Sequence, residues 1–91
     1  MNRRIVFLDR ASLIADMRAP SFAHEWIDHP QTLPEEVVAR LAGTDIVVVN
    51  KVRLTGDILA QVPSVKMIAV AATGTDNVDL AYCRAQGIVV T

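Results

Sequence analysis

A single cysteine, Cys83, stands among the 91 residues, so an internal disulfide and a cysteine-built zinc site are both excluded. Long apolar runs are missing as well. No stretch approaches the roughly 18 apolar residues that a membrane-spanning helix needs. The opening Met-Asn-Arg-Arg leads into only four strongly apolar residues before Asp9, too few for a secretory leader. Excess charge of one sign is lacking too. Nine Lys and Arg face ten Asp and Glu, for a formal charge of −1, so no electrostatic footprint for nucleic acid or an anionic membrane surface is present. Glycine is sparse: Gly43, Gly56, Gly74 and Gly87 each stand alone, and no G-x-G-x-x-G occurs. A dinucleotide-binding fingerprint is therefore absent from these residues. Together these absences lead us to expect a cytoplasmic protein in a reducing compartment.

What the chain has in quantity is apolar residues, 52% of the total, above the usual share. A length of 91 residues allows one domain at most. A domain this small buries only about 60–65% of its unfolded surface, so its stability margin is thin.

Four continuous apolar runs predict buried strands: Ile5–Leu8, Ile46–Val49, 67–72 and 88–90. Continuous rather than alternating runs mark parallel strands covered on both faces. A fifth, alternating segment, His24–Asp28, predicts an edge strand. Thr32-Leu-Pro-Glu35 has the spacing of a capping box, and Leu33, Val37 and Leu41 follow on one helical face with Gly43 as the stop. Thr55 caps a second predicted helix running to about Val62, with Leu54 and Leu59 placed as a hydrophobic staple. A third helix is predicted to start between Asp76 and Asp79 and to end at Gly87. The strand starts Ile46, Met67 and Ile88 are 21 residues apart each time, which reads as two successive strand–helix–strand crossovers. The fold class expected is α/β: a flavodoxin-like five-stranded parallel sheet with helices on both faces and strand order 2-1-3-4-5. The loosest stretch is expected at Arg10–Phe22.

Ligands of such sheets bind beyond the carboxyl ends of the strands. Three loops qualify: Asp9–Ala11, Asn50–Leu54 and 72–76. Thr73 and Gly74 offer backbone N–H groups, and Gly74 lets an anion approach unobstructed. Lys51 would add a positive charge in the neighbouring loop and Asn50 an amide. These four residues form a candidate carboxylate site. Blander readings compete: Gly74 as a tight-turn residue, Lys51 as a solvated charge, and Thr75, Asp76, Asn77 and Asp79 as helix caps. His24 and His29 lack metal-ligand partners at suitable spacing. Cys83 falls at a core-facing helical position and reads as a buried small hydrophobe. Trp26 and Phe22 read as packing residues.

The wording of the chain carries a resemblance as well. ATGTDNVDLA followed by CRAQGIVV, with IVFLDR, HEWIDHP and NKVRLTGDILAQVPSVKMIAVA upstream, resembles the N-terminal substrate-binding domain of D-isomer-specific 2-hydroxyacid dehydrogenases. The glycerate dehydrogenase/hydroxypyruvate reductase branch is the nearest in kind. The resemblance implies that the Thr73–Gly74 turn donates main-chain amides to the carboxylate of a small 2-oxo or 2-hydroxy acid, and that the loop of Asn50 and Lys51 lines the same cleft. It also implies NAD or NADP as cofactor, bound by a separate nucleotide-binding domain that would supply the catalytic Arg, Glu and His. None of that second domain lies within residues 1–91, so these residues alone are expected to be catalytically inactive. They are expected to self-associate or to contact the rest of the enzyme. A different class stays open: a stand-alone flavodoxin-like module that holds a small anion or a protein partner without catalysis. Receiver-type and flavin-binding versions of that module fit poorly, because the third strand would end in Asn50 and the first is followed by Asp9-Arg-Ala-Ser.

Overall fold

The computed structural model describes residues 3–12, 24–71 and 77–91. Five strands form one parallel sheet: β1 (Arg3–Phe7), β2 (His24–Asp28), β3 (Ile46–Val49), β4 (Met67–Val70) and β5 (Val89–Val90), in the order β2-β1-β3-β4-β5. The register aligns Ile5 with both Trp26 and Ile46, and Ile46 with Met67. The expected order and direction are those found. β1 starts two residues earlier than the apolar run, because strand pairing with β2 extends to Arg3 and Arg4. β5 begins at Val89 because the Ile88 N–H is taken by the Cys83 carbonyl at the helix end.

Alternate strand residues build two cores. Val6, Leu8, Val47, Val49 and Ile68 face a cluster that includes Val37, Leu41, Leu59 and Cys83 from the helices. Ile5, Phe7 and Val48 belong to a second cluster, with Trp26, Ile46, Ala69 and Ala71 against it. The central strands are therefore apolar on both sides, as continuous Val/Ile runs require.

Three short helices follow: α1 (Val37–Leu41), α2 (Gly56–Ala60) and α3 (Leu80–Gln86). A 3-10 turn, Pro34–Glu36, leads into α1. Half of a capping box forms, one residue later than its spacing predicts, with a backbone turn bond in place of the side-chain cap. The Leu33 N–H donates to the Glu36 carboxylate at 2.9 Å, and the Glu36 N–H returns to the Leu33 carbonyl at 2.9 Å. Thr32 does not act as the cap: its hydroxyl donates to the Leu8 carbonyl at 2.6 Å, tying this loop to the end of β1, and accepts from the Arg40 guanidinium at 2.7 Å. Leu33 is extended and half exposed instead of joining Val37 and Leu41 in the core. The other two caps are those expected. Thr55 accepts from the Ile58 N–H at 3.3 Å, and Leu54 and Leu59 are both buried. Asp79 accepts from the Tyr82 N–H at 3.0 Å, and Gly87 closes α3 at φ 73°. Arg10–Ser12 forms a 3-10 turn, and the remainder of the expected loose stretch lies outside the described residues.

Candidate functional site

At the carboxyl ends of the neighbouring strands β1, β3 and β4, three connections start from the same end of the sheet. Leu8–Asp9 continues from β1, Asn50–Thr55 leaves β3, and Ala71 starts the connection from β4 to α3. The β1 and β3 loops are joined by Asp9. Its carboxylate accepts the main-chain N–H groups of Asn50 at 2.8 Å, Lys51 at 2.5 Å and Val52 at 3.0 Å. Asp9 is 5% exposed, and converging charge-assisted bonds are what make burial of a carboxylate affordable.

The β3 loop is held from its other side by Asn77. The Asn77 side-chain amide donates to the Val52 carbonyl at 2.9 Å and more distantly, at 3.5 Å, to that of Asn50. The Leu54 N–H donates to the Asn77 carbonyl at 2.7 Å, and the Asp79 N–H donates to the Leu54 carbonyl at 3.0 Å. Leu54 and Val78 thus form a one-residue parallel bridge that ties the β3 loop to the entry of α3.

Of the four residues singled out from the sequence, two are described. Asn50 is buried and Lys51 is exposed, adjacent at the end of β3. The main-chain N–H groups of both are engaged by Asp9, and the Lys51 side chain is exposed. Thr73 and Gly74 lie outside the described residues, as do Thr75 and Asp76. Asn77 serves the β3 loop rather than the cap of α3, which belongs to Asp79. Sequence reasoning listed the Asp9 loop by position only and missed its partners. The available signal was an acidic residue directly after a buried apolar strand.

An open cleft of about 740 Å³ runs outward from these loops. Lys51, Val52, Arg53 and Ile58 form one wall, and Pro30, Thr32 and Pro34 the other. Arg40 braces the second wall, donating to Thr32 Oγ1 and the Gln31 carbonyl at 2.7 Å each and pairing with Glu36 at 3.0 Å. His29 stands at the end of β2, and burial with the nearby Arg40 charge lowers its pKa from the ordinary 6.5. Burial, followed by the charge of Asp79, raises the Cys83 thiol, keeping it protonated and inert.

Residues 5–91 match the family described as D-isomer specific 2-hydroxyacid dehydrogenase, catalytic domain. The chain belongs to this family. It is 52% identical over 91 residues to a glycerate dehydrogenase of Methylorubrum extorquens, covering 99% of this chain and 29% of that protein. A putative 2-hydroxyacid dehydrogenase of Haemophilus influenzae is 39% identical over 89 residues, covering 96% and 28%. Among solved structures, the NAD+-bound 3-phosphoglycerate dehydrogenase of Entamoeba histolytica superposes with a TM-score of 0.76 at 22% identity, covering 99% of this chain and 32% of that one. At that identity the likeness speaks for the fold. The chain spans less than a third of the length of these 2-hydroxyacid dehydrogenase relatives.

The described residues do not fit a nicotinamide dinucleotide. A pyrophosphate needs a Gly-rich turn between a strand and a helix. Here Gly43 and Gly87 take positive φ at helix ends, and Gly56 opens α2 with Tyr82 and Asp79 within 3.3 Å of where its Cβ would stand.

Proposed function

We propose that this chain is the substrate-binding portion of an NAD(P)-dependent D-2-hydroxyacid dehydrogenase that reduces a small 2-oxo acid of the hydroxypyruvate or glyoxylate kind. One observation carries the reading. β3 and β4 are hydrogen-bonded neighbours running the same way, so the Asn50–Lys51 loop and the connection bearing Thr73 and Gly74 leave the sheet at the same end. The 52% identity to a glycerate dehydrogenase supports the substrate class.

In this proposal the Thr73 and Gly74 amides donate to the substrate carboxylate, and Lys51 adds an exposed positive charge beside it. Holding one end of a small 2-oxo acid fixes the direction of its carbonyl, which is the positional part of catalysis. The reduced nicotinamide cofactor would supply the hydride, and residues outside these 91 the proton and the group that polarises the carbonyl. The chain alone binds and does not reduce.

Titration of the isotope-labelled chain with glyoxylate tests this. Saturable shifts of the Thr73 and Gly74 amide signals are expected, with binding about two- to fivefold weaker in Lys51→Met, the range for an exposed charge pair. No NADH oxidation is expected with hydroxypyruvate. Shifts absent from residues 73 and 74 would remove the site, and turnover by the chain alone would overturn the division of labour.

A further inference from the structure

Three successive main-chain N–H groups at the end of a strand form a concave, electropositive nest of the kind that takes an anion. Here the nest of Asn50, Lys51 and Val52 has its anion built in, since all three N–H groups point at the Asp9 carboxylate. The two oxygens divide the work: Oδ1 accepts from Asn50, and Oδ2 from Lys51 and Val52. An exposed loop of this length would otherwise sample many backbone conformations. Three bonds to one buried group, together with the Asn77 amide on the Val52 carbonyl, leave it one.

We propose that Asp9 is the positioning residue of the candidate carboxylate site. Its side chain fills the nest of residues 50–52 and so fixes where Asn50 and Lys51 stand, while Asn77 holds the same loop from its carbonyl side. The inference rests on the function proposed above. It also assigns the substrate's own carboxylate elsewhere, because the 50–52 amides are already taken.

Two variants of the full chain test this. Asp9→Ala removes the anion and leaves space, and formate is the probe for that space. Formate is expected to restore the amide shifts and exchange protection of residues 50–52 saturably in Asp9→Ala. Asp9→Asn keeps the volume but offers a single acceptor oxygen and turns an NH2 toward the remaining donors. Faster amide exchange at residues 50–52 is expected there, with no response to formate and with the Val47 and Val48 amides unchanged. Glyoxylate should bind Asp9→Asn about two- to fivefold more weakly, comparable to losing the exposed Lys51 charge.

Should Asp9→Ala fail to fold even with formate, Asp9→Asn decides. Wild-type exchange at residues 50–52, or wild-type glyoxylate affinity, in Asp9→Asn overturns the proposal. If glyoxylate moves neither Thr73 nor Gly74 in the unsubstituted chain, the proposed function falls. The exchange and formate measurements then still decide whether Asp9 holds the loop.

Discussion

Asp9 and Thr44 are both buried polar residues, and they sit at opposite ends of the sheet with opposite histories. Asp9 meets three N–H groups, whereas the Thr44 hydroxyl, fully enclosed, finds no hydrogen-bond partner among the described residues. The Thr44 backbone is well used: its N–H donates to Leu41 at 3.0 Å and its carbonyl accepts from the Ser64 hydroxyl at 2.7 Å. Only the side-chain oxygen is stranded. Removing a buried hydroxyl that has no partner recovers its desolvation cost, so Thr44→Val should stabilise the chain by about 1 kcal/mol. Urea unfolding would show this as a raised midpoint at unchanged slope. A lowered midpoint would mean that the hydroxyl has a partner. Neither residue's hydrogen-bond partners could be read from the sequence. The bonds of Asp9 span 41 to 43 positions, and they exist only because β1 and β3 pair in one particular register.

Elements were far more legible than residues. Each central strand is a continuous apolar run, and burial on both faces admits little else at that length. The equal spacing of Ile46, Met67 and Ile88 likewise follows from repeating a strand and a crossover of fixed size. Helix starts were legible where the cap is local, as at Thr55 and Asp79. The reading failed at Thr32, because its hydroxyl donates to the distant Leu8 carbonyl and the Arg40 guanidinium donates to the same oxygen. The end of α3 gives a sharp test of a local signal. Gly87 sits at φ 73° with nothing within 4 Å of the position a Cβ would take. The cost of Gly87→Ala is therefore conformational and free of clashes, about 1 kcal/mol for forcing an L-residue into the left-handed region. Thermal unfolding followed by circular dichroism measures it. An unchanged midpoint would show that the turn into β5 relaxes without loss.

At the scale of the whole molecule the sheet has two edges with different chemistry. β2 presents Glu25 and Asp28 as exposed charges, with Glu25 paired to Arg4 at 3.4 Å, which discourages another strand from adding there. β5 is two valines long, with Val89 57% exposed and Leu80 of the adjoining helix partly exposed. Among the described residues it pairs on one side only, with β4. An uncharged edge of β-branched residues is a template for another strand, and two copies meeting edge to edge bury the same patch twice. Self-association of the 91-residue chain through β5 is therefore expected at high concentration. The chain should elute from gel filtration as a dimer or larger, shifting toward monomer on dilution. Val89→Lys places a charge on that edge without touching either core and should hold the chain monomeric at the same concentration, whereas a charge reversal on β2, Glu25→Lys, should not. Equal elution of the unsubstituted chain and Val89→Lys would exclude β5 as the contact, and a concentration-independent monomer would show that two exposed valines are too short an edge to recruit a partner.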